Sequence, residues 1–212
     1  MTNPSPARRG GRPSLKRVAA INDAILAAAR STFLEDGFHQ TTMESVALAA
    51  GVSKGTLYAR FPDKTALFGA VVAERVKAWA PEPSIAGASG QSLRESLIAF
   101  AEFALEQMAG PEIWSFNHFV MAEARRFPEI ARIFHDTGLL QGLEVLTAII
   151  TSAAARDRVT VRDPAAVGIV FIEMLWGWSA FQALRGLKSD AATRRTSAER
   201  HVAILISGLA AW

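Results

Sequence analysis

Cysteine is absent from the 212-residue chain, and with it a disulfide framework, a thiolate metal centre and a cysteine nucleophile. The opening stretch, MTNPSPARRGGRPSLKR, has no apolar run of about 7 to 15 residues, so a secretory leader is not expected and a cytoplasmic location is. There is no HExxH pair, and His39, His118, His135 and His201 have no partner at metal-ligand spacing, so no metal site is expected. His118 and Glu123 would stand only about 140° apart around a helix, which leaves acid–base work in a pocket or a shared divalent ion as minor alternatives. No glycine-rich loop follows a strand, which excludes a dinucleotide fold and a phosphate-loop NTPase. No catalytic residue, cofactor or enzymatic activity is therefore expected. A large excess of one charge is also lacking: 23 Lys and Arg face 20 Asp and Glu, for a formal net charge of +3. With 50% of residues apolar and 20% charged, disordered and low-complexity classes are excluded as well.

The charge that is present lies unevenly. Through residue 80 basic side chains outnumber acidic ones, and beyond it acids lead. Arg8, Arg9, Arg12, Lys16 and Arg17 all precede the first acid, Asp23, making residues 1–17 a basic flexible arm of the kind a polyanion attracts.

Apolar residues after this arm recur at three- and four-residue spacing, and no stretch alternates over a strand's length, so the chain is expected to be all-α. The spacing predicts a first helix over 18–35, with Ile21, Ile25, Ala28, Ala29 and Phe33 on one stripe and Gly37 placed to end it. Short helices follow over 43–50 and 54–60, opened by Thr41 and Thr42 and by Ser53, and a fourth runs over 64–79 after Pro62 and Asp63. PEPSIAGASG, residues 81–90, is expected to separate a head, 18–80, from a body, 91–212. Body helices are expected over 91–108, 111–126, 129–135, 139–156, 164–185 and 198–211.

Residues 43–60, MESVALAAGVSKGTLYAR, contain two helices too short to bury a face alone, joined by a tight turn at Gly51, where glycine accepts a positive φ at least cost. That is helix-turn-helix geometry. Val46, Ala47, Ala50, Val52 and Leu57 have the spacing to pack the pair together. Ser53, Lys54, Gly55, Thr56 and Tyr58 are left outward, a set of small donors, one cation and one ring suited to phosphate oxygens and base edges in a major groove. Lys64 opens its helix with a cation that opposes the macrodipole, a sign an anionic partner would reverse. Arg60 lies nearby in sequence.

The string TTMESVALAAGVSKGTLYARFPDKTALFGAVV resembles the DNA-binding region of the TetR/AcrR family of bacterial transcriptional regulators, over roughly residues 18–75. The resemblance implies an all-helical homodimer, with a three-helix DNA-binding head and a larger helical body that binds a small molecule and dimerises. It implies phosphate contacts from Thr41, Thr42, Tyr58 and Lys64, and major-groove contacts from Ser53, Lys54, Gly55 and Thr56. Arg60 stands where many relatives have an aromatic residue; a phosphate contact is the favoured role. Arg8, Arg9 and Arg12, in RRGGR before Pro13, are similar to Gly-Arg-Pro strings that enter narrow minor grooves; a solvated tail is the alternative.

In the body, residues 164–184, PAAVGIVFIEMLWGWSAFQAL, are long and apolar enough to span a bilayer. Glu173 near their middle, and Trp176 and Trp178 inward of their ends, argue against a membrane. A helix apolar on all sides is otherwise buried on all sides. With the apolar 202–212 stretch it is expected to form an intermolecular four-helix bundle, the use the resemblance also implies, and an isologous two-fold dimer would present two heads to a palindrome. Large groups crowd the middle helices, among them Phe100, Phe116, Met121 and Phe127, and describe either ordinary core or a ligand cavity. The ligand-binding candidates are Phe103, Trp114, Asn117, His118, Phe119, Glu123, Phe134, Phe171, Met174 and Trp178, with Glu173 as a further polar candidate.

The expected protein is thus a homodimeric repressor that binds double-stranded operator DNA until a small apolar or aromatic effector enters its body. The competing expectation is a non-catalytic helical module that binds partner proteins or membranes, with the basic arm as a tether. Only the regulator needs Ser53, Lys54, Thr56, Tyr58 and Lys64 together on one surface.

Overall fold

A computed structural model describes residues 15–78, 90–187 and 189–208, and these are helical, without strands among the described residues. Arg8, Arg9 and Arg12, nearly all of the 81–90 stretch, and Trp212 lie outside them. The helices are α1 (Leu15–Gln40), α2 (Met43–Ala49), α3 (Lys54–Tyr58), α4 (Lys64–Ala78), α5 (Leu93–Ala109), α6 (Pro111–Glu123), α7 (Pro128–Phe134), α8 (Leu140–Asp157), α9 (Pro164–Leu184) and α10 (Ala191–Gly208). A π-helical turn, His135–Leu139, joins α7 to α8.

Two compact units divide between Leu67 and Phe68, inside α4 and ahead of the border expected at 81–90. The physical reason is that α4 from Phe68 onward packs with later helices. Phe68 stacks on Phe116 at 6.0 Å between ring centroids, a Cβ on Gly69 would touch Ile133, and Arg75 bonds Glu112 at 2.6 Å.

In the N-terminal unit, Ile25, Ala29, Phe33, Val46, Ala47, Leu57 and Leu67 are fully or almost fully buried. The α1 stripe is therefore realised at Ile25, Ala29 and Phe33. Gly37 adopts φ 78°, ψ 164° and breaks the helical geometry of α1 three residues before its end, a conformation that glycine enters without strain. At the end of α2 the Gly51 N–H reaches Leu48 O and the Val52 N–H reaches Ala47 O, with Gly51 at φ 64°. This double bond pattern closes the helix and sets the turn into α3.

In the C-terminal unit, α5 packs against α8, α9 and α10 around Leu97, Ala101, Leu105, Leu146, Ile149, Phe171, Leu175 and Val202. Small residues fix the closest approach: a Cβ on Gly168 of α9 would lie 2.9 Å from Leu143 Cδ1 of α8. Polar caps mark the helix starts. Ser92 and Glu95 form a reciprocal capping box on α5, and the Ser92 backbone and hydroxyl bonds hold the Glu95 carboxyl below its ordinary range. α10 begins seven residues before the expected start, because the Asp190 carboxylate accepts the Thr193 N–H at 2.7 Å and caps a polar first turn that apolar periodicity does not register. The 164–184 helix has the length and composition of a membrane span, as does the helical stretch 128–157.

Candidate DNA interface and effector cavity

The recognition elements are built by capping. Thr42 is the N-cap of α2: its hydroxyl accepts the Ser45 N–H at 3.0 Å while Ser45 Oγ accepts the Thr42 N–H at 3.1 Å. Ser53 is the N-cap of α3: its Oγ accepts the Thr56 N–H at 3.1 Å and lies 2.8 Å from Thr56 Oγ1. Asp63 caps α4 through the Ala66 N–H at 2.7 Å. One ion pair ties the first turns of α2 and α3 together, Lys54 Nζ to Glu44 at 3.2 Å, with both side chains exposed. Hydrogen bonding to its own backbone N–H, and then the Lys54 ammonium, hold the Glu44 carboxyl below its ordinary range. Thr42, Ser53 and Lys54 thus cluster at two adjoining helix starts, with Gly55 exposed, Thr56 half-buried, and Tyr58 45% exposed at the end of α3.

Three residues expected on this surface are turned elsewhere. Thr41 is 1% exposed, and its hydroxyl lies 2.8 Å from Gly37 O and 3.2 Å from Thr32 O, closing the end of α1. Arg60 donates from Nη1 to Thr56 O at 2.9 Å, supporting the end of α3. Lys64 Nζ donates to Phe38 O at 2.5 Å, Thr41 O at 2.9 Å and His39 O at 3.2 Å, and sits 4.5 Å from the centre of the Phe38 ring. An ammonium has three N–H donors, and these carbonyls engage all of them. The partner that offsets the macrodipole penalty at Lys64 is a set of backbone carbonyls, the negative end of α1. Glu44 was not among the expected interface residues; it lies in the first turn of α2, ten positions before Lys54 at the start of α3, and helical period gives no signal across the turn between them.

The C-terminal unit contains a cavity of about 620 Å³. Of the expected ligand-binding residues, Phe103, Asn117 and Phe134 line it, and so does Glu173. The remaining candidates are placed elsewhere. Phe171 is fully buried in the α5–α8–α9–α10 core, against which Trp178 also packs. Phe119 packs on Phe68 and Phe116. The rings of Trp114 and His118 lie 4.0 Å apart between centroids at a tilt of 53°, His118 being exposed with Nδ1 2.9 Å from Trp114 O. Met174 is half-buried outside the lining. Glu123 Oε2 is enclosed without a hydrogen-bond partner among the described residues, also outside the lining. Sequence reasoning missed Val76, Gln107, Gln141 and Trp176 of the lining. On α6 and its C-cap the split follows helix phase: Ile113, Asn117, Val120 and the C-cap Ala124 recur at three and four and line the cavity, while Phe116 and Phe119 pack on Phe68.

A model of bacterial regulatory proteins of the tetR family matches residues 25–71, and a model of the C-terminal domain of AefR-like transcriptional repressors matches residues 95–207. The HTH-type transcriptional regulator RutR of Escherichia coli (strain K12) is 45% identical over 64 residues, 30% of each chain. The HTH-type transcriptional regulator UidR of the same strain is 34% identical over 115 residues, 53% of this chain and 56% of UidR. The matches therefore span 30% of RutR and 56% of UidR. Among solved structures, the flavonoid-responsive regulator FrrA superposes with a TM-score of 0.74 at 28% identity, covering 90% of this chain and 97% of FrrA.

Proposed function

The chain belongs to the TetR family of bacterial transcriptional regulators, and on that basis we propose that it is a cytoplasmic, homodimeric repressor that binds a palindromic operator and is released by a small aromatic effector. Members of this family are DNA-binding regulators and not enzymes. The observation that carries the proposal is the pairing of an exposed capped cluster, Thr42, Ser53, Lys54 and Tyr58, in one unit with an apolar cavity in the other. Dimerisation is supported by apolar side chains left outward on the last two helices, Ile169, Phe181 (68% exposed) and Leu184 (79%) on α9 and Ile204 on α10. An aromatic effector is supported by the cavity's Phe103, Phe134 and Trp176 and by the flavonoid response of FrrA.

Release is linkage between two sites. The effector shifts the equilibrium only by its differential affinity for the two conformations of the dimer, and moving from mostly bound to mostly free takes about 5.5 kcal/mol. Selection of duplexes from random DNA, followed by a salt titration on the enriched sequence, tests the proposal. A palindrome is expected, with about 6 to 10 counterions displaced, and with weaker binding but unchanged dimerisation for Lys54→Ala and Tyr58→Ala. Failure to enrich any sequence, with equal weak binding by wild type and Lys54→Ala, would turn the search to partners of the exposed α9 face.

The Glu44 pair carries its own prediction. A carboxylate beside Lys54 opposes phosphate approach whatever the base sequence, so Glu44→Gln is expected to tighten binding to a scrambled duplex more than to the operator. The melting temperature should stay where it is, since both partners of the pair are exposed. Fluorescence anisotropy on both duplexes reads the result; an unchanged ratio of affinities would remove Glu44 from the interface.

A further inference from the structure

We infer that the effector of this chain is an apolar organic cation, a protonated amine or quaternary ammonium on an aromatic-sized body. The inference rests on reading the cavity as an effector site and adds the sign of the ligand's charge. Among the described residues lining the cavity none is Lys, Arg or His, and the single ionisable one is Glu173. The other polar groups are the amides of Gln107, Asn117 and Gln141, of which Asn117 is buried to 7% exposure.

An anion entering this space would lose hydration, find no cation to compensate it, and share an apolar cavity with a carboxylate. A cation meets the opposite situation. Glu173, exposed, and Trp176, half-buried, are three residues apart on α9 and therefore adjacent on its surface, so a carboxylate and an indole flank the same part of the cavity wall. Those two groups are the chemistry that recognises an ammonium, one by charge and the other by its ring quadrupole. Phe103 and Phe134 supply further ring surface, and the amide oxygens can accept N–H donors from a protonated amine. A neutral ligand would use the amides and rings and forgo Glu173.

The test uses the full-length protein without DNA and three scaffolds, biphenylmethyl, naphthylmethyl and decyl, each carried as primary ammonium, alcohol and carboxylate. Affinity is read by quenching of tryptophan fluorescence and by calorimetry. On the scaffold that binds best, the ammonium is expected to bind at least about tenfold tighter than the carboxylate, the alcohol falling between them. Glu173→Gln should collapse that difference to within about twofold while leaving the alcohol's affinity and the melting temperature unchanged, and Glu173→Asp should retain part of it. A carboxylate that binds as tightly as the ammonium, a preference that survives Glu173→Gln, or no ammonium binding on any scaffold would overturn the inference. Since DNA is absent from these measurements, an ammonium that binds but fails to release the operator would count against regulation by release and not against the charge of the ligand.

Discussion

Replacing Lys64 by alanine should cost the protein its operator affinity without changing the salt dependence of what binding remains. The Lys64 ammonium converges on Phe38 O, His39 O and Thr41 O across at least 23 residues of sequence separation, and it covers the Phe38 ring. Charge-assisted hydrogen bonds contribute about 1.5 to 3 kcal/mol each when enclosed, and less here, where the lysine is half-exposed, so a total loss of about 2 to 3 kcal/mol is expected in the N-terminal unit. The released carbonyls belong to the segment that ends α1 and delivers Thr42 to the start of α2. Operator affinity should therefore drop by about tenfold or more. A lysine whose main role was a phosphate contact would behave differently: its removal would lower the slope of log K against log salt by about one per head and leave the fold intact. Amide exchange over residues 38–42 separates the two, with faster exchange expected in Lys64→Ala. Lys64→Arg should rescue poorly, because a planar fork does not match three carbonyls converging on one point.

The residues that could be read from the sequence and those that could not divide along a physical line. Ser53, Asp63 and Gly51 act on neighbours within four positions, so their roles as caps and turn follow from local chemistry, and all three are found in them. The buried stripe of α1 and the packing residues Val46, Ala47 and Leu57 follow from helical period. Lys64 and Thr41 illustrate what period cannot supply. Both carry polar groups suited to phosphate, and both are turned to backbone carbonyls whose positions depend on how α1 ends after Gly37. The cavity shows the same limit. Helix phase says that Phe116 and Asn117 of α6 face different ways, but which face meets a void and which meets Phe68 depends on the path of α4 and α7. Abundance of aromatic residues pointed to Phe119, Phe171 and Trp178, whereas the wall is completed by Gln107, Gln141 and Trp176, two of them polar residues that composition gave no reason to single out.

Phe171 and Trp176 turn that difference into the second large expected effect. They lie five positions apart on α9, so about 140° separates them around the helix. Phe171 is fully buried, with its ring 6.5 Å from that of Phe100 in the central core. Trp176 is half-buried on the cavity wall, its ring 6.5 Å from Trp114. Truncating a core phenylalanine removes its transfer free energy and leaves a void that packed neighbours fill incompletely, so Phe171→Ala is expected to destabilise the C-terminal unit by about 3 to 5 kcal/mol. At about 2 to 4 °C per kcal/mol for a chain of this size, the melting transition should fall by roughly 10 °C. Trp176→Ala should leave most of that stability in place, since its side chain already borders open volume, and should instead weaken the tightest-binding ammonium probe by about tenfold through loss of the ring face. Thermal melts and probe titrations on the two variants give a crossed pattern if α9 serves as core on one face and cavity wall on the other. Equal loss of stability in both would mean that Trp176 is core and that the cavity ends short of it.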